Sequence, residues 1–362
     1  MPESSIVVRP EPVDSGSYTA GSRLQAAGLR RAITLFEQAA DVVPIPRSPR
    51  PIVIADYGAA TGHNSILPIG AAIGRLRART RPEHSVLVTH TDVPQNDFTE
   101  LFRTLSDDPD TYLKKDHASF ASAVGRSFYT QILPSNSVNL AWSSWSIQWL
   151  GRVPAPIPDH VVVSSSRDQN VCTAYAKQAA HDWHEFVAFR GRELCPGGRL
   201  VVMTLGIADD GEFGYRPLLD AVMETLTEMS ARNLVTEDEV HRMAIPIVGR
   251  RARDFLSPFA PSGTFEKLSI EHLEVFDAED RFWTQYQIDK DATTLGAQWT
   301  AFLRASTFPA LAAALHERDD GHRGRFLDEL ESGVAARCAA APAQVRIPLA
   351  LMTIEKKQRT HH

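Results

Sequence analysis

Cysteine is scarce: Cys172, Cys195 and Cys338 are the only three in 362 residues. They are widely spaced and odd in number, so they form neither a disulfide framework nor the paired spacing of a zinc site, and a reducing compartment follows. No apolar run is long enough to span a bilayer. The opening Met1-Pro2-Glu3-Ser4-Ser5 lacks the basic and apolar regions of a secretory leader. These absences predict a cytoplasmic protein with no membrane contact. Positive charge is not in excess either. Against 38 Lys and Arg stand 44 Asp and Glu, a net charge of −6, which leaves no basic footprint for nucleic acid. The remaining composition, 43% hydrophobic and 23% charged, is that of a globular chain large enough for one large α/β domain or for a domain with an embedded cap.

Another absence is more telling. The segment Ile52-Val53-Ile54-Ala55-Asp56-Tyr57-Gly58-Ala59-Ala60-Thr61-Gly62-His63-Asn64 reads as a strand, a glycine turn and a helix start. That is how a doubly wound sheet presents a nucleotide pocket. Yet the turn lacks the G-x-G-x-x-G spacing that brings a pyrophosphate to a helix N-terminus. It has G-x-x-x-G with an acid two residues upstream. An acid there suits a cofactor carrying positive charge and no phosphate at the turn, so S-adenosylmethionine fits better than NAD. A nicotinamide-dependent oxidoreductase is the alternative from another enzyme class, and it would want the missing glycine pattern. Asp56 can also be read as a simple cap of the following helix.

Periodicity supplies the other elements. Helical spacing runs over 22–40, 66–76, 174–195, 216–231, 236–243, 293–306, 308–316 and 322–337. Strand-like runs cover 52–56, 86–90, 138–142, 200–204, 268–276 and 349–354. The second strand leads into Thr91-Asp92, which places a second carboxylate at a strand end, where it can accept two ribose hydroxyls. The helix over 174–195 is expected to stop at Pro196-Gly197-Gly198. The expected organisation is an N-terminal segment and helix over 1–50, a cofactor-binding core over 51–206, and cap insertions over 207–262 and 291–340. Core strands return over 263–290 and 341–357.

Several motifs occur in order. They are Ser17-Tyr18-Thr19-Ala20-Gly21-Ser22-x-x-Gln25, Asp56-x-Gly58-x-x-x-Gly62-x-Asn64 and Asp92-x-Pro94-x-Asn96-Asp97-Phe98. Ser127-Phe128-Tyr129, Ser143-Ser144-Trp145-Ser146-x-x-Trp149-Leu150 and Pro196-Gly197-Gly198-Arg199 follow. Together, from about residue 15 to 355, they resemble the SABATH family of S-adenosylmethionine-dependent carboxyl methyltransferases, which includes the plant salicylate, benzoate, jasmonate and theobromine enzymes. The resemblance implies an α/β fold: a Rossmann-like class I methyltransferase sheet with an α-helical cap formed by the insertions. It implies S-adenosyl-L-methionine as cofactor and S-adenosyl-L-homocysteine as product. Ser22 and Asp56 would hold the methionine portion, with Asn64 nearby, and Asp92 the ribose. Ser127 and Phe128 would lie at the adenine, and Tyr18, Gly58, Val93 and Ser143 complete the implied cofactor set.

Gln25 and Trp149 are the implied catalytic pair, donating an amide and an indole N–H to the substrate carboxylate. Trp145 and Gln148 would border the acceptor, and Leu218, Leu219 and Leu303 would line its acyl pocket. Trp145 stands where the family usually has tyrosine, and Gln148 where histidine or methionine is common. A carboxylic acid, with a pKa of about 4 to 5, is already ionised at neutral pH, so no catalytic base and no metal are expected. The leucines suggest a small hydrophobic acid, first a medium-chain fatty acid and second a benzoate- or salicylate-like acid. Family members are often dimers, which allows a homodimer here.

Overall fold

A computed structural model describes residues 15–316 and 321–358, with side chains from residue 29 onward. The run Ile52–Tyr57 (β1) is almost wholly buried, as an inner strand between helix layers must be. Its parallel neighbours are Val86–Asp92 (β2) and Val138–Ser144 (β4). Ser119–Gly125 (β3) flanks β2, and Leu194–Leu205 (β5) flanks β4. Ile347–Lys356 (β7) inserts antiparallel between β5 and Leu268–Ala278 (β6). The sheet order is β3-β2-β1-β4-β5-β7-β6. The chain runs outward from β1 to β3 and then returns to β4 on the other side of β1. That reversal opens a crevice at the carboxyl ends of β1 and β4, the usual ligand position in such sheets.

Helices cover both faces. Ser15–Val42 (α1) packs on His63–Arg77 (α2) over one face, where Phe36 meets Trp142 of β4 at 4.9 Å between ring centroids. Gln169–Glu193 (α5) covers the other, with Trp183 and Phe186 stacked in the core. Phe98–Asp107 (α3) and Tyr112–Lys115 (α4) connect β2 to β3. The cap-side elements are Arg216–Ala231 (α6), Glu237–Arg242 (α7), Arg281–Asp289 (α9), Ala292–Ser306 (α10), Phe308–Ala312 (α11) and His322–Ala340 (α12). In the cap, α12 packs against both α6 and α10, and α10 also packs on α1. Gly296 permits the α10–α12 approach: a Cβ there would lie 2.4 Å from the Ala335 carbonyl oxygen.

Three expectations change. The helix over 174–195 ends at Glu193, and Pro196-Gly197-Gly198 falls inside β5 instead of before it. The register of β4 against β5 shifts there, so the turn is a bulge within the sheet. Ala252–Leu256 (α8), inside the expected cap, leaves it for the opposite face, where Trp183 donates its indole N–H to the Phe255 carbonyl at 3.0 Å. Strand β3 and helices α3, α4 and α9 were not expected. For α3 a signal was present, since Asp97 accepts the Glu100 N–H at 2.9 Å as an N-cap.

Candidate active site

The two strand-end acids border the crevice, and they differ in surroundings. Asp56, at the end of β1, is buried, with Oδ2 2.7 Å from His90 Nδ1. His90 Nε2 lies 2.9 Å from the Tyr112 hydroxyl. Asp92, at the end of β2, is half-buried and accepts the backbone N–H of Ala60 at 2.8 Å and of Val93 at 2.7 Å. Burial raises its carboxyl above the ordinary aspartate range, outweighing the two amide donors. The turn between the acids is braced by Asn96, whose side chain donates to the Ala60 carbonyl at 2.8 Å. The Asn96-Asp97-Phe98 motif therefore has local work: one residue holds the turn and the next caps α3.

Gly58 has φ +84°, and a Cβ there would lie 2.1 Å from Ser146 Oγ. It admits the segment after β4 as much as any ligand. Asn64 sits in the first turn of α2, half-buried, and Val93 is half-buried beside Asp92. Ser143 is fully buried, and its hydroxyl donates to the Tyr57 carbonyl at 3.0 Å. Its side chain is engaged within the sheet.

Ser127 and Phe128 lie on the loop after β3. Phe128 packs edge-on to Phe186 at 5.7 Å and to Tyr129 at 4.7 Å. A buried ion pair on α5 holds this loop. Arg190 donates to the carbonyls of Phe128 at 2.8 Å and Thr130 at 2.9 Å. Glu193 accepts the backbone N–H of Ile132 at 2.5 Å and of Leu133 at 3.0 Å. It also accepts the Tyr57 hydroxyl at 2.5 Å, and Arg190 lies 4.2 Å over the Tyr57 ring. Burial pushes the Tyr57 phenol well up, so it stays a donor. Arg190 and Glu193 were not among the expected site residues; nothing in a helical repeat distinguishes a buried arginine from an exposed one.

The segment after β4 forms one wall of a cavity. Trp145 has φ +56°, a conformation unusual for a bulky residue. Its N–H bonds to the Met203 carbonyl at 2.9 Å, and its carbonyl accepts from Gln148 Nε2 at 2.6 Å. Gln148 Oε1 accepts the Thr204 hydroxyl at 3.0 Å. Both ends of the Gln148 amide are thus engaged within the chain, and the residue acts as a brace in the wall. Trp149 is half-buried, with its carbonyl bonded to the Tyr129 hydroxyl at 2.5 Å.

Trp145, Gln148, Trp149, Leu219 and Leu303 all line one cavity, with about 600 Å³ of empty volume that includes open solvent. Leu218 does not line it. It faces a separate recess beside Leu295 and Trp299, because consecutive residues on a helix of 3.6 residues per turn point about 100° apart. Phe213, Tyr215 and Phe302 also line the cavity and were missed. Phe213 and Tyr215 are two positions apart, and only tertiary packing brings Phe302 to them. Tyr18, Ser22 and Gln25 occur at i, i+4 and i+7 on α1, which places them on one helix face. Their side chains lie outside the described residues.

A family model described as "SAM dependent carboxyl methyltransferase" matches residues 10–334. The chain belongs to this SABATH family. A relative from Gibberella moniliformis, "Methyltransferase FUS9", is 27% identical over 74% of this chain and 69% of its own length. The Clarkia breweri "Salicylate carboxymethyltransferase" is 27% identical over 66% of this chain and 67% of its own length. The solved structure "Loganic acid methyltransferase with SAH" superposes with a TM-score of 0.75 at 20% identity, covering 98% of this chain and 100% of that one. This likeness supports the class I methyltransferase fold.

The SABATH enzyme uses S-adenosylmethionine, and its crevice suits that cofactor. A carboxylate offers about four acceptor positions; Asp92 spends two on backbone N–H groups and retains capacity for two ribose hydroxyls. Among the described residues no three His, Cys, Asp or Glu side chains cluster as a metal site, and no helix is long and apolar enough to cross a membrane.

Proposed function

We propose that this carboxyl methyltransferase acts on a compact hydrophobic acid, and that an acid bearing a planar ring suits it best. The observation that carries this reading is the wall of the cavity. Five of its lining residues are aromatic: Trp145, Trp149, Phe213, Tyr215 and Phe302. Flat rings pack favourably on a planar guest. The medium-chain fatty acid is the second reading, supported by Leu205, Leu219, Ile247 and Leu303 in the same wall. The named activity of the Clarkia relative agrees with the first. A labelled-methyl transfer assay across benzoate-like acids and straight-chain acids of graded length decides between them. A highest kcat/KM on a straight-chain acid would reverse the order. A cytoplasmic location and a homodimer belong to the same reading. The first is supported by three unpaired cysteines, the second by the habit of the family.

In this reading Asp56, with Ser22 and Asn64, holds the amino-acid end of the cofactor; Asp92 takes the ribose and Ser127 and Phe128 the adenine. Bound there, S-adenosylmethionine supplies an activated methyl group on a sulfonium sulfur. The protein contributes position. Gln25 and Trp149 orient the acceptor carboxylate with neutral donors that leave its charge available for attack. The cap excludes water, which strips the carboxylate of competing hydration. Alignment of this kind is worth on the order of 7–11 kcal/mol of barrier.

Two outcomes follow. Asp92→Ala should weaken S-adenosylhomocysteine binding by about 1.5–3 kcal/mol, the scale of hydrogen bonds to a charged group. Calorimetry showing unchanged affinity would remove the ribose assignment. The single-turnover rate at saturation should be flat from about pH 6 to 8 with a chelator present, because an ionised acceptor needs no base. Cofactor affinity should weaken first at the acid edge. The raised Asp92 carboxyl takes up a proton at higher pH than an ordinary aspartate and then loses acceptor strength. A bell-shaped rate profile centred near neutrality would reveal a titrating catalytic group.

A further inference from the structure

Behind Asp56 lies a chain of buried polar groups that the reaction as described does not use. His90 is fully buried on β2, and Tyr112 is buried on α4. The three side chains come from separate elements, so two hydrogen bonds in line are a built arrangement. We propose that His90 and Tyr112 are positioning residues that hold the Asp56 carboxyl in place as an acceptor aimed at the ammonium group of the cofactor.

The directions of the bonds follow from donor chemistry. Burial raises the Tyr112 phenol well above its ordinary value, so its oxygen keeps its proton and can donate to His90 Nε2. A neutral imidazole that accepts at Nε2 carries its hydrogen on Nδ1. That N–H points at Asp56 Oδ2 across 2.7 Å. In that tautomer the carboxylate receives a neutral N–H donor. The rings of Tyr112 and His90 lie within 25° of parallel with centroids 6.1 Å apart, so the hydrogen bond joins them end to end. The sequence singled out Asp56 and passed over both partners.

This inference rests on the proposed placement of the amino-acid end of the cofactor at Asp56. The test compares two ligands, S-adenosylhomocysteine and 5′-methylthioadenosine, which shares the adenosine and sulfur but has no amino-acid group. In the full-length protein, Tyr112→Phe and His90→Leu should each raise the Kd for S-adenosylhomocysteine by roughly 3- to 10-fold, the worth of a hydrogen bond. The Kd for 5′-methylthioadenosine should stay unchanged, and this second ligand also reports that the crevice is still folded. Equal losses for both ligands would make the pair an ordinary part of the core and overturn the proposal. No loss for either would do the same. Asp56→Ala separates the layers of the argument. If it also fails to discriminate between the ligands, the placement of the ammonium at Asp56 falls, and this inference with it. If it discriminates while Tyr112→Phe and His90→Leu do not, the placement stands and the inference alone falls.

Discussion

Trp149→Phe should lower kcat/KM towards the best acid by roughly 10- to 100-fold, with cofactor affinity barely changed. The indole N–H is one of two proposed donors to the acceptor carboxylate, and removing a hydrogen bond to a charged group costs about 1.5–3 kcal/mol. Phenylalanine keeps most of the ring that lines the cavity. The backbone is held independently of the side chain: the Trp149 N–H bonds to the Ser146 carbonyl at 3.1 Å, and the Trp149 carbonyl accepts the Tyr129 hydroxyl. A loss of rate therefore reads the N–H and not a collapse of the loop. Gln25→Leu should give a loss of similar size. The double variant should lose less than the sum, because both donors act on one group. Full activity in Trp149→Phe would place the acceptor elsewhere. A defect confined to cofactor binding or melting temperature would make Trp149 a core residue.

The strand-end acids are legible in the sequence where the walls of the cavity are not, for a physical reason. A strand that ends in an acid before a glycine turn is a local pattern, and Asp56 and Asp92 both fall at strand ends bordering the switch-point crevice. Their supports are not local. His90 and Tyr112 lie 34 and 56 positions beyond Asp56 in the sequence, and only the parallel pairing of β1 with β2 brings His90 beside it. The cavity is assembled from the segment after β4, the end of β5 and the segment after it, α6, Ile247 and α10. A reading along the chain could choose between Leu218 and Leu219 only by knowing the rotation of α6. Gln148 lines the cavity as the resemblance implied, and what the sequence did not show is that its amide also joins the Trp145 carbonyl to Thr204. Pro196-Gly197-Gly198 misled for a related reason, since the same residues that end a helix can form a bulge in a strand.

Arg190→Met should destabilise the fold by about 3–5 kcal/mol, because breaking one partner of a buried ion pair leaves the other charged and unpaired. Glu193 is fully buried, so water cannot replace the lost guanidinium. The carbonyls of Phe128 and Thr130 lose their donors in the same change. Arg190→Lys should fall between wild type and Met. An ammonium retains the charge but lacks the planar fork that reaches both carbonyls while facing Glu193. Adding Glu193→Gln to Arg190→Met should restore part of the loss, since the unpaired charge is gone while an acceptor remains for the N–H groups of Ile132 and Leu133. Urea unfolding of the four proteins measures the series. The same loop bears Ser127 and Phe128, so variants that stay folded should bind S-adenosylhomocysteine and 5′-methylthioadenosine less tightly by the same factor, both ligands sharing the adenine. A loss below about 1 kcal/mol for Arg190→Met, the scale of an exposed pair, would show that the loop is held by its hydrophobic contacts alone.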